Sequence, residues 1–161
     1  MDKRASKILA VMTAALLAGC LVFMFSPLLT MATVPGEKAE FYGGTLLFGG
    51  TLLYELPSGV YEFRFEMNIG ILVITQCYLL SAISTYLGAN SRFNRIFSLV
   101  LNLGATIALT FVQPMVLSTS TLTVSGLGYG YGYHLCMVFA VSAFILQAVG
   151  LILSFIPKKS A

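Results

Sequence analysis

Four long stretches of the chain carry no charged side chain and are dominated by apolar residues: 8–33, 69–89, 96–117 and 135–156. About 20 such residues, rising about 1.5 Å each, cross the hydrocarbon core of a bilayer, so each stretch predicts a membrane-spanning helix. The pattern between them is different. In residues 61–68, Tyr61, Phe63, Phe65 and Met67 alternate strictly with Glu62, Arg64, Glu66 and Asn68. A period of two predicts a half-buried β-strand. Leu56-Pro57-Ser58-Gly59 reads as a turn before it, and Leu52-Leu53-Tyr54-Glu55 as the strand paired across that turn.

Two repeats stand out in the loops. GGTLL occurs at 43 and again at 49. A six-residue period keeps the same face of a strand, yet the residues equally suit a short helix or re-entrant element, and both readings stay open. In the last loop, the β-branched run 118–125 leads into Gly126-Leu127-Gly128-Tyr129-Gly130-Tyr131-Gly132-Tyr133. On a strand, Leu127, Tyr129, Tyr131 and Tyr133 would share one face, leaving a bare glycine face that another backbone approaches closely. The expected fold is one domain over 1–161: a membrane all-α four-helix bundle with a small extracellular antiparallel β-sheet built from loops 34–68 and 118–134.

Charge gives this layout a direction. Lys3, Arg4, Lys7, Arg92, Arg95, Lys158 and Lys159 fall on one side of the four runs; Lys38, Arg64 and five of the six acids fall on the other. The positive-inside rule puts both termini in the cytoplasm and the long loops outside. The composition, 58% hydrophobic and 9% charged, lies far from the about 25% charge of soluble domains. The net charge of +3 then reflects insertion, with membrane lipid as the surrounding partner and no nucleic acid implied.

The stretch LLAGC ending at Cys20, after Lys3, Arg4 and Lys7, has the look of a lipoprotein signal. A lipidated cysteine would be followed by a polar tether, whereas Leu21-Val22-Phe23-Met24-Phe25 continue the apolar run. Cys20 is therefore expected inside a retained helix. Cys77 and Cys136 also lie in apolar runs, with no CxxC spacing, and read as buried thiols. His134, the sole histidine, reads as an interfacial hydrogen-bonder. The paired GYG triplets invite comparison with a potassium filter, but Val124 is followed by Ser125 rather than by Gly-Tyr-Gly. No catalytic, metal or cofactor residue is assigned. Gln76, Asn102 and Gln147, amides inside the apolar runs, are expected to hold helices together.

Four helices with cytoplasmic termini, a long β-forming first outer loop and a run GYGYGYHLCMVFAVSAFILQAVGLIL entering the fourth helix resemble the claudin-like tetraspan superfamily. The resemblance implies the four-helix layout and an auxiliary or assembly role. The family's Gly-Leu-Trp and paired loop cysteines are missing, so it lends no functional residue. The expected function is that of a non-enzymatic membrane protein, an auxiliary subunit or self-assembling element. It would meet a second copy or another membrane protein through Tyr61, Phe63, Phe65, Leu127, Tyr129, Tyr131 and Tyr133. The alternatives are a small transporter or channel component lined by the amides, and a lipid-acting enzyme using His134, Tyr133 and Glu66.

Overall fold

Pro27 decides where the first helix stops. In the computed structural model, which describes residues 3–34, 37–57, 59–89, 91–122 and 126–155, helix α1 spans Lys3–Met24. Proline disfavours helical geometry in the residue before it. The last turn accordingly tightens, with Phe25 N donating to Val22 O and Ser26 N to Phe23 O. Pro27 then opens strand β1 (Pro27–Val34), the first position of a strand being one where a missing N–H is tolerated. The first apolar run, expected as helix over 8–33, is thus a helix followed by a strand. Its apolar composition came from two elements rather than one.

Strand β2 (Glu37–Tyr42) returns antiparallel on β1, and the short helix α2 (Gly43–Phe48) leads to a hairpin of β3 (Gly50–Leu56) and β4 (Gly59–Phe65). The two GGTLL copies adopt different states: the first is the helix α2, the second enters β3. Gly49, which opens the second copy, sits at φ +79°, a conformation glycine adopts readily. The hairpin matches the sequence expectation; its register sets Leu53 opposite Glu62 and Tyr54 opposite Tyr61, and β4 ends at Phe65 rather than running on to Asn68.

Helix α3 (Ile69–Leu87) is capped by Asn68, whose side chain accepts from Ile71 N at 3.0 Å. Helix α4 (Arg92–Leu109) is capped by Ser91 and begins ahead of the 96–117 run, taking in Arg92 and Arg95. The third apolar run is broken: α4 ends at Leu109 and α5 (Val112–Leu117) follows. Pro114 accounts for the break, because its ring clashes with the carbonyl four residues earlier, that of Thr110.

Strand β5 (Leu127–Tyr129) joins the other side of β1, giving a three-stranded sheet in the order β2-β1-β5 beside the β3-β4 hairpin. The last loop therefore pairs mainly with β1, and touches β4 through a bridge between Phe65 and Ser120. Helix α6 (Tyr131–Phe155) begins earlier than the 135–156 run suggested. The protein is mostly helical with small antiparallel sheets, and α1 packs on α3 and α6 while α4 packs on the same two. Among the described residues, three helices are long and apolar enough to cross a membrane: Arg4–Met24, Ile69–Leu87 and Tyr131–Phe155.

The helix and sheet layers are stapled at the Met24–Pro27 corner. Gly43 N donates to Ser26 O and Gly130 N to Leu28 O at 2.8 Å. A methyl group on Gly130 would lie 2.2 Å from Pro27 O, and one on Gly43 only 1.5 Å from Met24 O. The bare glycine face anticipated in the Gly-Tyr run is used for this close approach.

Candidate functional site

Polar side chains from the helices meet in the middle of the helix layer. Ser81 of α3 and Ser98 of α4 form a reciprocal clasp: Ser81 Oγ donates to Ser98 O at 2.8 Å and Ser98 Oγ to Ser81 O at 3.0 Å. With both hydroxyl protons committed to carbonyls, both oxygens face Gln147 of α6 as acceptors. Gln147 Nε2 lies 3.1 Å from Ser81 Oγ, 3.1 Å from Thr85 Oγ1 and 2.5 Å from Ser98 Oγ. Thr85 Oγ1 in turn donates to Ser98 Oγ.

The other end of the same amide continues the chain. Gln147 Oε1 accepts from Asn102 Nδ2 at 2.9 Å, and Asn102 gives its second proton to Ala140 O at 3.2 Å. Thr106 Oγ1 donates to Asn102 O at 2.7 Å and lies 3.3 Å from Tyr78 OH. Asn102 and Ser81 are fully buried and Gln147 nearly so. This spine of hydroxyls and amides links α3, α4 and α6. It satisfies its own donors, as buried polar groups in an apolar setting must. Gln76 is the exception among the three amides singled out in the sequence: it lies on the exposed face of α3 and joins no part of the spine. The helical period from Gln76 to Tyr78, Ser81 and Thr85 turns it away from the interior.

A second cluster closes one end of the helices. Arg95 Nη2 donates to Ser6 Oγ at 2.6 Å and its Nε to Ala89 O at 3.1 Å, while Nη1 donates to Gly150 O. Ser6 Oγ also donates to Ala89 O at 2.9 Å. The guanidinium thus ties α1, the end of α3 and α6 to the start of α4. A cavity of about 30 Å³ lies between this cluster and the spine, lined by Ser6, Thr13, Thr85, Arg95, Ser98 and Gln147. It has room for about one ordered water.

The opposite end carries the β layer, whose two sheets meet over aromatic rings. Phe41 of β2 sits at 5.2 Å from Phe63, 5.3 Å from Phe65 and 6.2 Å from Tyr54. These edge-on and tilted arrangements are favoured for aromatic pairs. The alternation in β4 produces this core, but with a consequence for the expected interaction surface. Phe63 and Phe65 are buried within the chain, and their rings present no outer surface. Tyr61 is half-buried at the margin, stacked on Phe63.

The Gly-Tyr run divides likewise. Leu127 and Tyr129 lie on β5, half-buried, and Tyr129 stacks on Tyr133 at 4.0 Å. Tyr131 starts α6 and is exposed, so the four residues do not share one strand face. The change from strand to helix at Gly130 replaces a period of two with one of about four, bringing Tyr129 and Tyr133 together. His134 is exposed with its ring 5.4 Å from that of Tyr133. No hydrogen bond links it to Glu66 among the described residues.

Three edges of the β layer are closed by side chains or loop. Tyr54 OH donates to Glu40 O on β2, and Gln113 Nε2 donates to Leu127 O on β5 at 3.1 Å. On β4, Thr121 N donates to Arg64 O at 3.1 Å and Glu66 N to Thr119 O at 2.7 Å. The outer edge of β3 has no strand beside it among the described residues. Asn68, read in the sequence only as an outer strand position, is a buried hub. Besides capping α3, it donates from Nδ2 to Met115 O at 2.7 Å and to Thr119 Oγ1 at 2.9 Å. An asparagine directly before an apolar helical run is the N-cap signal that would have found it. No protein-family model matches the chain, and no curated protein matches it by sequence.

Proposed function

We propose that the protein is a non-enzymatic, four-crossing integral membrane protein that acts as an auxiliary or self-assembling structural subunit through its β layer. The observation that carries this reading is an inverted surface on the helices. Outward positions are large and apolar, among them Ile8, Val73, Ile83, Val100, Ile107 and Val138, while the interior holds Ser81, Ser98, Asn102 and Gln147. Water rewards the opposite arrangement. In lipid, side-chain amides and hydroxyls between helices supply the glue that hydrophobicity cannot.

Orientation follows from the two ends of the helix layer. The start of α1, the start of α4 and the end of α6 meet around Arg95, and that end carries Arg4, Lys7 and Arg92 as well. We assign it to the cytoplasm and the β layer to the outside. The fourth crossing is α4 with α5, bent at Pro114. The spine supports a structural role over a transport path, because its donors are satisfied by one another. Cross-linking in the native membrane followed by mild extraction and native mass spectrometry tests the role. A reproducible complex with a second copy or another membrane protein is expected; a monomer recovering no partner contradicts it.

A further inference from the structure

Among the described residues, the outer edges of β2, β5 and β4 are each closed and that of β3 is not, which indicates a partner. An unpaired strand edge is a template for another strand, which proteins ordinarily block. Here β2 is blocked by the Tyr54 hydroxyl, β5 by the Gln113 amide and β4 by residues 119–121. The edge of β3 carries Leu53, which is 66% exposed.

The backbone groups at that edge are identified by the ladder. Arg64 turns its N–H and C=O away from β3, toward Thr121. Thr51 is opposite Arg64, and opposed residues that do not exchange hydrogen bonds both turn outward. By the period of two, Thr51, Leu53 and Glu55 present their N–H and C=O groups at the open edge.

Resting on the interaction role proposed above, we infer that β3 pairs antiparallel with β3 of a second copy, with Leu53 on the two-fold axis. In this register Thr51 faces Glu55 of the other copy, Leu53 faces Leu53, and Glu55 faces Thr51. All three outward-facing backbone pairs close. Leucine covers leucine, as an isologous interface requires. Each Glu55 meets an uncharged threonine whose own neighbour is Arg64, so no like charges oppose. Neighbouring registers fail. Centring on Tyr54 sets Leu53 against a carboxylate and Thr51 against Pro57, which lacks an N–H. Centring on Leu52 puts Glu55 opposite Gly49, beyond the strand. A strand from a different protein would face no such constraint, so the self-complementary pattern favours a second copy.

The test is site-specific cross-linking in the membrane with a short thiol-reactive linker, in a Cys77→Ser background that leaves the buried Cys20 and Cys136. Leu53→Cys is expected to cross-link as a dimer. Thr51→Cys and Glu55→Cys are each expected to stay uncross-linked alone and to cross-link when coexpressed with one another. Leu53→Lys, at an exposed position that leaves the fold intact, should abolish the dimer. A persistent native complex without the Leu53 cross-link overturns the pairing and leaves the interaction role standing. So does a cross-link by Glu55→Cys alone. A partnerless monomer overturns both.

Discussion

Gln147 shows what one amide does when three helices share it. Its N–H groups are divided among Ser81, Thr85 and Ser98, and its oxygen takes a proton from Asn102. Gln147→Leu leaves three hydroxyls and one amide short of a partner. Its expected cost is about 1–3 kcal/mol, the range for stranded buried polar groups. Gln76→Leu, on the exposed face of α3, is expected to change stability by no more than about 0.5 kcal/mol. Unfolding in detergent micelles compares the two, and equal losses would remove the spine from the account. Tyr54 gives a pH prediction in the β layer. Burial is the largest cause that pushes its phenol above the ordinary value of 10.0. A raised folded-state pKa means the stability this group contributes is complete below about pH 10 and is lost as pH rises through the raised value. Alkaline unfolding of Tyr54→Phe should therefore decline less steeply above about pH 10 than that of the parent.

At the scale of elements, glycine and proline positions govern the joints. Gly130→Ala drives a methyl group into Pro27 O at 2.2 Å and separates α6 from the α1–β1 corner. The expected loss is about 1–3 kcal/mol, as for other overpacked sites. Gly104→Ala enters open space on α4 and should gain up to about 1 kcal/mol from helix propensity. Pro114→Ala removes the clash that parts α4 from α5. A continuous helix is expected to draw Gln113 from Leu127 O, and hydrogen exchange at 127–129 should accelerate. Unchanged exchange would mean that Gln113 does not protect that edge.

These joints also explain what was readable in advance. The β3–β4 hairpin was legible because its alternation and its turn residues agree. The strand β1 was not, because Leu28-Leu29-Thr30-Met31-Ala32 lacks polar–apolar alternation and directly follows the apolar run of α1, so it reads like a continuation of helix. The spine was legible in Asn102 and Gln147 but not in Gln76, since amide content alone does not say which helix face turns inward. Arg95 was counted as a topology signal. Its bonds to Ser6, Ala89 and Gly150 depend on three elements distant in the chain, which no local pattern reveals.

At the scale of the whole molecule, the account depends on orientation in a bilayer: helices apolar outside and polar within, a cationic end in the cytoplasm, and the β layer outside. The most direct measurement is labelling of intact cells with a membrane-impermeant maleimide, using single reporter cysteines in the Cys77→Ser background. Thr51→Cys, exposed in the β layer, and Ala5→Cys, exposed at the start of α1, bracket the two ends. Labelling of Thr51→Cys in intact cells, with Ala5→Cys labelled only after permeabilisation, is the predicted result. Recovery of the protein in the soluble fraction, or labelling of Ala5→Cys in intact cells, would contradict the account.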